Sequence, residues 1–284
     1  MAIDIDVRFY QKQPPDLAHL NAQEARHHYA SYGIREGRLA RPDGVREGFL
    51  TLVPTDKPVL EIGPFANPAV RGDNVRYADV LTTGQLRARA IEIGYDPNGC
   101  PEIHYPLPTL DLGTISERFA AVISSHNIEH QPDLVRHLQA VERLLRPGGR
   151  YFLLVPDKRY CFDHFLPETT IADVMSAYMC RPKVHDIRSV IEHWALTTHN
   201  DPARHWDGDH GRPHIETTLE PLKRAISTYE SNPEQYVDVH AWQFTPQSFE
   251  YLFNLIADLG LTRLRPQVVH PTVHLRNEFC AVLG

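Results

Sequence analysis

From residue 58 onward, short apolar runs alternate with segments of helical periodicity, and this alternation most limits the folds open to the chain. The runs predicted to be strands are 58–62, 75–78, 119–123, 150–155, 261–270 and 274–283. Strands that alternate with helices form a mostly parallel sheet with helices on both faces. The sequence therefore predicts a doubly wound α/β fold around a mostly parallel, seven-stranded sheet.

Two helices of this pattern have recognisable start signals. Pro132 suits the first position of a helix, and apolar residues then recur at helical spacing up to Leu145, before the turn at 146–149. Thr245 and Pro246 predict the start of the last helix, as a capping hydroxyl and a first-position proline.

Residues 157–244 interrupt the pattern. They are rich in His, Pro, Asp and Arg and lack clean strand periodicity. An insertion at this place would cover the carboxyl edge of the sheet, where open α/β sheets bind ligands. We interpret it as a lid that builds the acceptor pocket.

Residues 1–45 are predicted to form a small helical appendage, and residues 46–284 to form the main domain. Apolar residues of the appendage can share one helical face that ends at a glycine: Leu17, Leu20, Tyr29, Tyr32 and Gly33.

Charge and composition narrow the function. The net charge of -7 over 284 residues disfavours an enzyme that grips a nucleic-acid backbone, because phosphate binding requires a basic face. We find no secretion signal and no apolar run of the roughly 18 residues that a membrane span needs. The four cysteines are scattered. These features predict a cytoplasmic protein without a membrane span.

The first strand contains a buried-type acid, Glu61, and ends at Gly63. The turn that follows, from Gly63 to Asn67, lacks the GxGxxG pattern by which a dinucleotide pyrophosphate is held, so an NAD oxidoreductase is disfavoured. Asp79 ends the next strand, 16 residues after Gly63. A carboxylate there can accept hydrogen bonds from both hydroxyls of a ribose, or can cap the turn.

Six segments taken together resemble a class I S-adenosylmethionine-dependent methyltransferase. They are 60–64, 77–79, 119–126, 128–130, 145–149 and 155–158. They look, more narrowly, like the methyltransferases of bacterial surface-polysaccharide clusters. The appendage resembles a short module found beside glycosyltransferases and methyltransferases of such clusters, and the matching elements are Phe9-Tyr10, Pro15-Asp16-Leu17, His28-Tyr29, Gly33 and Glu36-Gly37-Arg38. The resemblance covers residues 58–165 best. It implies S-adenosyl-L-methionine as the cofactor, bound by Glu61, Gly63, Pro64, Phe65, Asn67, Asp79, Asp111, Ser124 and Ser125.

His126, Glu129 and His130 follow the predicted strand 119–123 and form an HxxEH cluster. On one helical turn, His126 and His130 would lie on one side. The cluster can act as a catalytic base, since histidine titrates near neutral pH. It can also hold a divalent metal, with His240 as a distant fourth ligand, as a similar ExxEH does in some methyltransferases. A purely structural brace is the third interpretation.

The candidate acceptor-binding residues are Asp157, Asp163, His164, His240 and Trp242. The predicted reaction is O-methylation of a sugar hydroxyl on a glycan or nucleotide sugar. Methylation of O, N or C on another small metabolite or peptide stays open, as does a non-catalytic binding subunit of the same fold. Self-association and association with glycosyltransferases also stay open.

Overall fold

The computed structural model describes residues 5–12, 17–108, 111–212 and 219–284. Its seven strands are β1 Val59–Ile62, β2 Val75–Asp79, β3 Tyr105–Pro106, β4 Phe119–Ser125, β5 Leu145–Pro156, β6 Pro266–Val269 and β7 Glu278–Leu283. They form one sheet in the order β3-β2-β1-β4-β5-β7-β6. Strands β3 to β5 pair in parallel, whereas β7 is antiparallel to both β5 and β6. The predicted fold class is confirmed.

Helices cover the sheet on both sides. They are α1 Val7–Gln11, α2 Ala22–His28, α3 Arg46–Leu50, α4 Thr83–Glu92, α5 Leu134–Leu144, α6 Ile171–Cys180, α7 Ile187–Ala195, α8 Pro202–Trp206, α9 Leu219–Ser231 and α10 Pro246–Asp258. Alternate residues of the central strands enter different cores: Leu153 packs with residues of α5 and α10, whereas Phe152 packs with α3 and α4. Burial on both faces explains why these strands are continuous apolar runs in the sequence.

The start of α5 differs from the prediction. The first helical residue is Leu134 and not Pro132, and the side chain of the cap residue Asp133 accepts a hydrogen bond from the backbone N–H of Arg136 at 3.0 Å. Leu145 continues the helical spacing but is the first residue of β5, so the turn at 146–149 lies within that strand. The cap of α10 at Thr245 and Pro246 is as predicted.

The N-terminal segment has a small core of its own. Its buried residues are Ile5, Tyr10, Leu17, Ala25, Tyr29 and Ala40. The predicted common face is wrong in part, because Leu17 and Leu20 precede α2 and Tyr32 is 57% exposed. The helical stretch does end at Gly33. The Pro15-Asp16 element of the resemblance lies outside the described residues.

The lid, residues 157–244, contains α6 to α9. Its two ends meet in an isolated parallel bridge between Asp157 and Phe244, directly after β5. Both ends of this segment therefore lie at the carboxyl edge of the sheet. No helix among the described residues has the length and apolar character needed to cross a membrane.

Candidate active site

Glu61 shapes the loop that follows β1. Its two carboxylate oxygens accept hydrogen bonds from the backbone N–H groups of Ala69, at 2.6 Å, and Val70, at 3.1 Å. Burial raises the pKa of this carboxyl to about 7, although the two N–H donors oppose the rise. Glu61 thus positions the loop from the inside, and direct contact with a cofactor is not required of it.

The turn at Gly63 brings the end of β1 against the end of β4. Gly63 has φ +69, and a Cβ atom there would lie 2.6 Å from Nδ2 of Asn127. Phe65 also has a left-handed backbone, with φ +45. Pro64 is buried, whereas Asn67 is exposed on the outer side of the loop. The close approach joins the turn after β1 to the turn after β4 at the carboxyl edge of the sheet.

We expect Gly63→Ala to lower the free energy of unfolding by about 2–3 kcal/mol, because it adds a contact with Asn127 to the left-handed strain. Gly94→Ala is the matched control. Gly94 has φ +82 and open space around it, so it should cost only about 1 kcal/mol. Urea unfolding of both variants measures the difference, and equal losses would contradict the close approach.

Asp79 is the last residue of β2, which pairs with β1. It is half-buried, and its Oδ1 accepts a hydrogen bond from the N–H of Leu81 at 2.9 Å. Burial raises the pKa of Asp79 to about 6; the Leu81 N–H opposes this and the carboxylate of Asp238 adds to it.

Three other residues expected at the cofactor are placed differently. The Ser124 hydroxyl is buried 2.8 Å from the Tyr151 hydroxyl, so this side chain already has a partner within the protein. Ser125 Oγ accepts a hydrogen bond from Arg46 at 2.8 Å. Asp111 is exposed and caps a short turn through the N–H of Gly113.

A buried cluster follows β4. A short turn, Ile128–His130, carries Glu129 and His130, and the last part of the lid brings in His240. Glu129 Oε1 lies 3.6 Å from Nε2 of His130 and 3.8 Å from Nε2 of His240. Glu129 is fully buried, and neither of its carboxylate oxygens has a hydrogen-bond partner. The backbone N–H of Ala241 binds the Glu129 carbonyl at 2.8 Å and holds the lid against this turn.

Carboxylates lie on the far side of both histidines. Asp163 Oδ2 lies 2.6 Å from Nδ1 of His240. Asp238 Oδ1 lies 2.9 Å from Nδ1 of His130. The two groups are close enough to form an ion pair, but the angle at Nδ1 is too poor for a hydrogen bond. Burial disfavours the charged form of His130, but Asp238 and Glu129 outweigh it and raise its pKa above the ordinary value of 6.5. Each Nε2 therefore faces Glu129.

Sequence reasoning missed Asp238 and His193. Nδ1 of His193 accepts a hydrogen bond from the backbone N–H of His240 at 3.1 Å. Burial, followed by the nearby His240, lowers the pKa of His193 to about 4. The one sequence signal for Asp238 was its place two residues before His240.

His126 is not part of this cluster, which corrects both its catalytic and its metal-binding prediction. Its Nε2 lies 2.8 Å from Oε2 of Glu278, which also pairs with Arg46 at 2.6 Å. Burial opposes ionisation of Glu278, but the bonds from His126 and Arg46 hold its pKa well below the usual range. His126 has φ +47, and the turn bearing His130 begins only after Asn127. The two histidines thus do not share a helical turn.

Asp157 and Trp242, two of the predicted acceptor-binding residues, have hydrogen-bond partners within the protein. The buried Asp157 carboxylate is occupied by Arg159, at 2.6 Å, and by the Thr272 hydroxyl, also at 2.6 Å. Trp242 lies in the main core, and its indole N–H donates to the carbonyl of Gln131. The Asp157 carboxylate is therefore already occupied, whereas Trp242 also lines a cleft of the lid, so its acceptor-binding role stays a prediction.

One segment of the chain, which includes part of the buried cluster, matches a known protein family. Residues 105–153 match a family described as a methyltransferase domain. The matched segment runs from β3 into β5 and contains Glu129 and His130. Comparison with curated proteins finds no match.

Several solved structures of methyltransferases are similar to the chain. The glycopeptide N-methyltransferase MtfA is 21% identical, with a TM-score of 0.30 over 39% of this chain and 52% of that one. The CcbJ methyltransferase from Streptomyces caelestis is 22% identical, with a TM-score of 0.30 over 45% of this chain and 53% of that one. The mitomycin 7-O-methyltransferase MmcR is 12% identical, with a TM-score of 0.37 over 98% of this chain and 60% of that one. The chain thus spans a little over half the length of each structure.

Proposed function

We propose that this chain is an S-adenosylmethionine-dependent methyltransferase that methylates a hydroxyl group. The observation that carries the proposal is the buried cluster of Glu129, His130 and His240, which directly follows β4 inside the segment that matches a methyltransferase domain. A hydroxyl acceptor must lose a proton on methylation, and such a cluster can remove it.

Residues at the carboxyl ends of β1 and β2 can hold the cofactor. The turn at Gly63 lacks the glycine-rich phosphate-binding pattern, and no phosphate-binding helix terminus is needed for a ligand without phosphate. The Asp79 carboxylate can accept hydrogen bonds from the two ribose hydroxyls. When bound, the cofactor supplies an electrophilic methyl group on a sulfonium. The contribution of the protein is to hold the acceptor oxygen in line with that group.

His130 is the proposed base. Its Nδ1 faces Asp238, so Nε2 is the atom that takes the proton, and the carboxylates of Asp238 and Glu129 stabilise the resulting imidazolium. The pKa of His130, raised above 6.5 by Asp238 and Glu129, makes its neutral imidazole a stronger proton acceptor than an ordinary histidine. Asp163 orients His240 in the same way, as a positioning residue.

A divalent metal at the same cluster is the second candidate mechanism. Ligand atoms of Glu129, His130 and His240 lie within 4.8 Å of one another. The carboxylates behind both imidazoles, Asp238 and Asp163, resemble the outer partners that orient metal-bound histidines. A cation held there would lower the pKa of the acceptor hydroxyl in place of a base.

For the acceptor we propose a sugar hydroxyl of a glycan or nucleotide sugar in the cytosol. Beside the cluster, the lid has a cleft of about 300 Å³, lined by polar side chains that include Glu168, Gln243 and His185. The buried His185 lines the same cleft and contributes a polar ring to it. The resemblance of the N-terminal segment to polysaccharide-cluster proteins supports the same acceptor class.

Release of S-adenosylhomocysteine with a panel of sugar, phenol and amine acceptors tests this function. We expect release with hydroxyl acceptors, and retention of that activity after exhaustive chelation. A loss of more than about tenfold that added Mg²⁺ or Mn²⁺ restores would replace the base with the metal. Release with amines alone would overturn the hydroxyl acceptor. A chain that neither binds the cofactor nor releases product would contradict the methyltransferase function itself.

A further inference from the structure

A second group of histidines lies in the lid, apart from the active-site cluster. His164 follows the first turn of the lid, His205 lies in α8, and His210 comes shortly after that helix. One ring nitrogen from each of the three lies within 4.8 Å of the other two. We propose that they form a binding site for a divalent transition-metal ion such as Zn²⁺, which fastens the first turn of the lid to α8.

Backbone carbonyls determine which nitrogens are free. Nδ1 of His164 lies 2.8 Å from the carbonyl of Arg159, and Nε2 of His205 lies 3.1 Å from the carbonyl of His199. A carbonyl oxygen only accepts, so both of these nitrogens carry hydrogen. The opposite nitrogens, Nε2 of His164 and Nδ1 of His205, then present lone pairs. Hydrogen bonds of this kind orient histidines in known metal sites.

The third ligand is held more loosely. Nδ1 of His210 lies 3.1 Å from Nδ1 of His205. Two nitrogen ligands of one tetrahedral zinc ion are roughly 3.3 Å apart, given bond lengths of about 2.0–2.1 Å. Because the His205 nitrogen is an acceptor, His210 carries hydrogen on Nδ1 in the free protein. Moving that proton to Nε2 makes Nδ1 a ligand without changing the charge of the ring.

The rings must reorient for an ion to bind, because the His164–His205 and His205–His210 pairs are near parallel, at 18° and 25°. The rings of His164 and His210 stack at a centroid distance of 3.8 Å and an angle of 11°, and parallel rings do not aim their lone pairs at one point. His210 must therefore tilt. Gly208 and Gly211, with φ +84 and +72, flank it in a short loop that can absorb the change.

The ligand set selects the ion. Three neutral imidazoles without a carboxylate or thiolate favour Zn²⁺, Co²⁺, Ni²⁺ or Cu²⁺ over Mg²⁺ or Ca²⁺. The neighbouring Asp209 is paired with Arg204 at 2.7 Å and is not among the ligands. His164 and His210 are half-buried, which gives an ion access and leaves a fourth position for water. Since His164 follows Asp163, a bound ion would also steady the carboxylate that orients His240.

Binding of Zn²⁺ and Co²⁺ to the tag-free chain tests the proposal. We expect one Co²⁺ to bind with the visible absorption of a tetrahedral nitrogen site and to be displaced by Zn²⁺. His210→Ala and His164→Ala should each weaken Zn²⁺ binding at least about tenfold, while the exposed control His27→Ala should not. Circular dichroism confirms that each variant is folded.

The active-site cluster must be distinguished from this site. We expect Glu129→Gln to retain the Co²⁺ absorption, because Glu129 is not one of the three ligands. The proposal is overturned if Glu129→Gln abolishes the absorption while folded His210→Ala and His164→Ala retain it. Unchanged Zn²⁺ affinity in both lid variants would also overturn it. Neither outcome depends on methyl transfer.

Discussion

His130→Ala is expected to lower turnover by at least about 100-fold while leaving cofactor affinity within about threefold, because general-base catalysis contributes roughly 10²–10⁴ in rate. The variant removes Nε2 beside Glu129 but leaves Gly63 and Asp79 intact. Asp238, which loses its partner, is 77% exposed, but the buried Glu129 also loses its neighbour, so urea unfolding of the variant checks that it is folded. Steady-state kinetics and S-adenosylhomocysteine titration measure the two effects separately.

The pH dependence of turnover distinguishes a catalytic base at His130 from a purely structural role of this residue. The pKa of His130 is raised above 6.5, so turnover of the wild-type chain should rise with pH as this group loses its proton, and the rise should be absent in His130→Ala. His19→Ala, which removes an exposed histidine of the N-terminal segment, serves as the control. Turnover within about threefold of wild type would return His130 to the structural interpretation.

Asp79→Asn should weaken cofactor binding by about 10- to 100-fold, because hydrogen bonds to a charged group contribute roughly 1.5–3 kcal/mol. The same substitution should leave the free energy of unfolding unchanged or higher at pH 7. Folding raises the pKa of Asp79 to about 6 from 3.8, so the ionised carboxylate opposes folding above that pH and the opposition fades as pH falls. Calorimetric titration and urea unfolding measure the two effects.

Affinity for the cofactor should fall as pH is lowered through about 6 in the wild-type chain, since protonated Asp79 accepts fewer hydrogen bonds. Asp79→Asn should lack this dependence. Asp73→Asn, in the exposed loop before β2, is the matched control and should bind normally. Equal affinities of Asp79→Asn and wild type would remove Asp79 from the cofactor site.

Most of the sheet could be predicted from the sequence, because strands buried on both faces must be apolar whatever their neighbours are. The residues at which helices and strands begin and end were harder to predict from the sequence. Leu145 has the spacing of the α5 face, yet it begins β5, since its pairing with Phe119 is set by a neighbouring strand and not by local periodicity. The cap at Thr245 was predictable because its hydrogen bond reaches only to Ser248.

The candidate site shows the same division. Glu129, His130 and His240 were identifiable from residue type and position, and the structure brings them together. His126 was grouped with them because the spacing assumed a helix, whereas its left-handed backbone directs it to Glu278. Asp238 escaped notice because the lid has no periodicity from which its neighbours could be inferred.

The sequence by itself determined the order of strands and helices and the kinds of chemical group at the carboxyl edge, since both depend on short-range patterns of polarity. Only the tertiary structure decided which groups meet. Residues 129 and 240 are separated by a lid of four helices, and their contact depends on where that lid rejoins the sheet. Long-range packing sets that position, and no local pattern of residues encodes it.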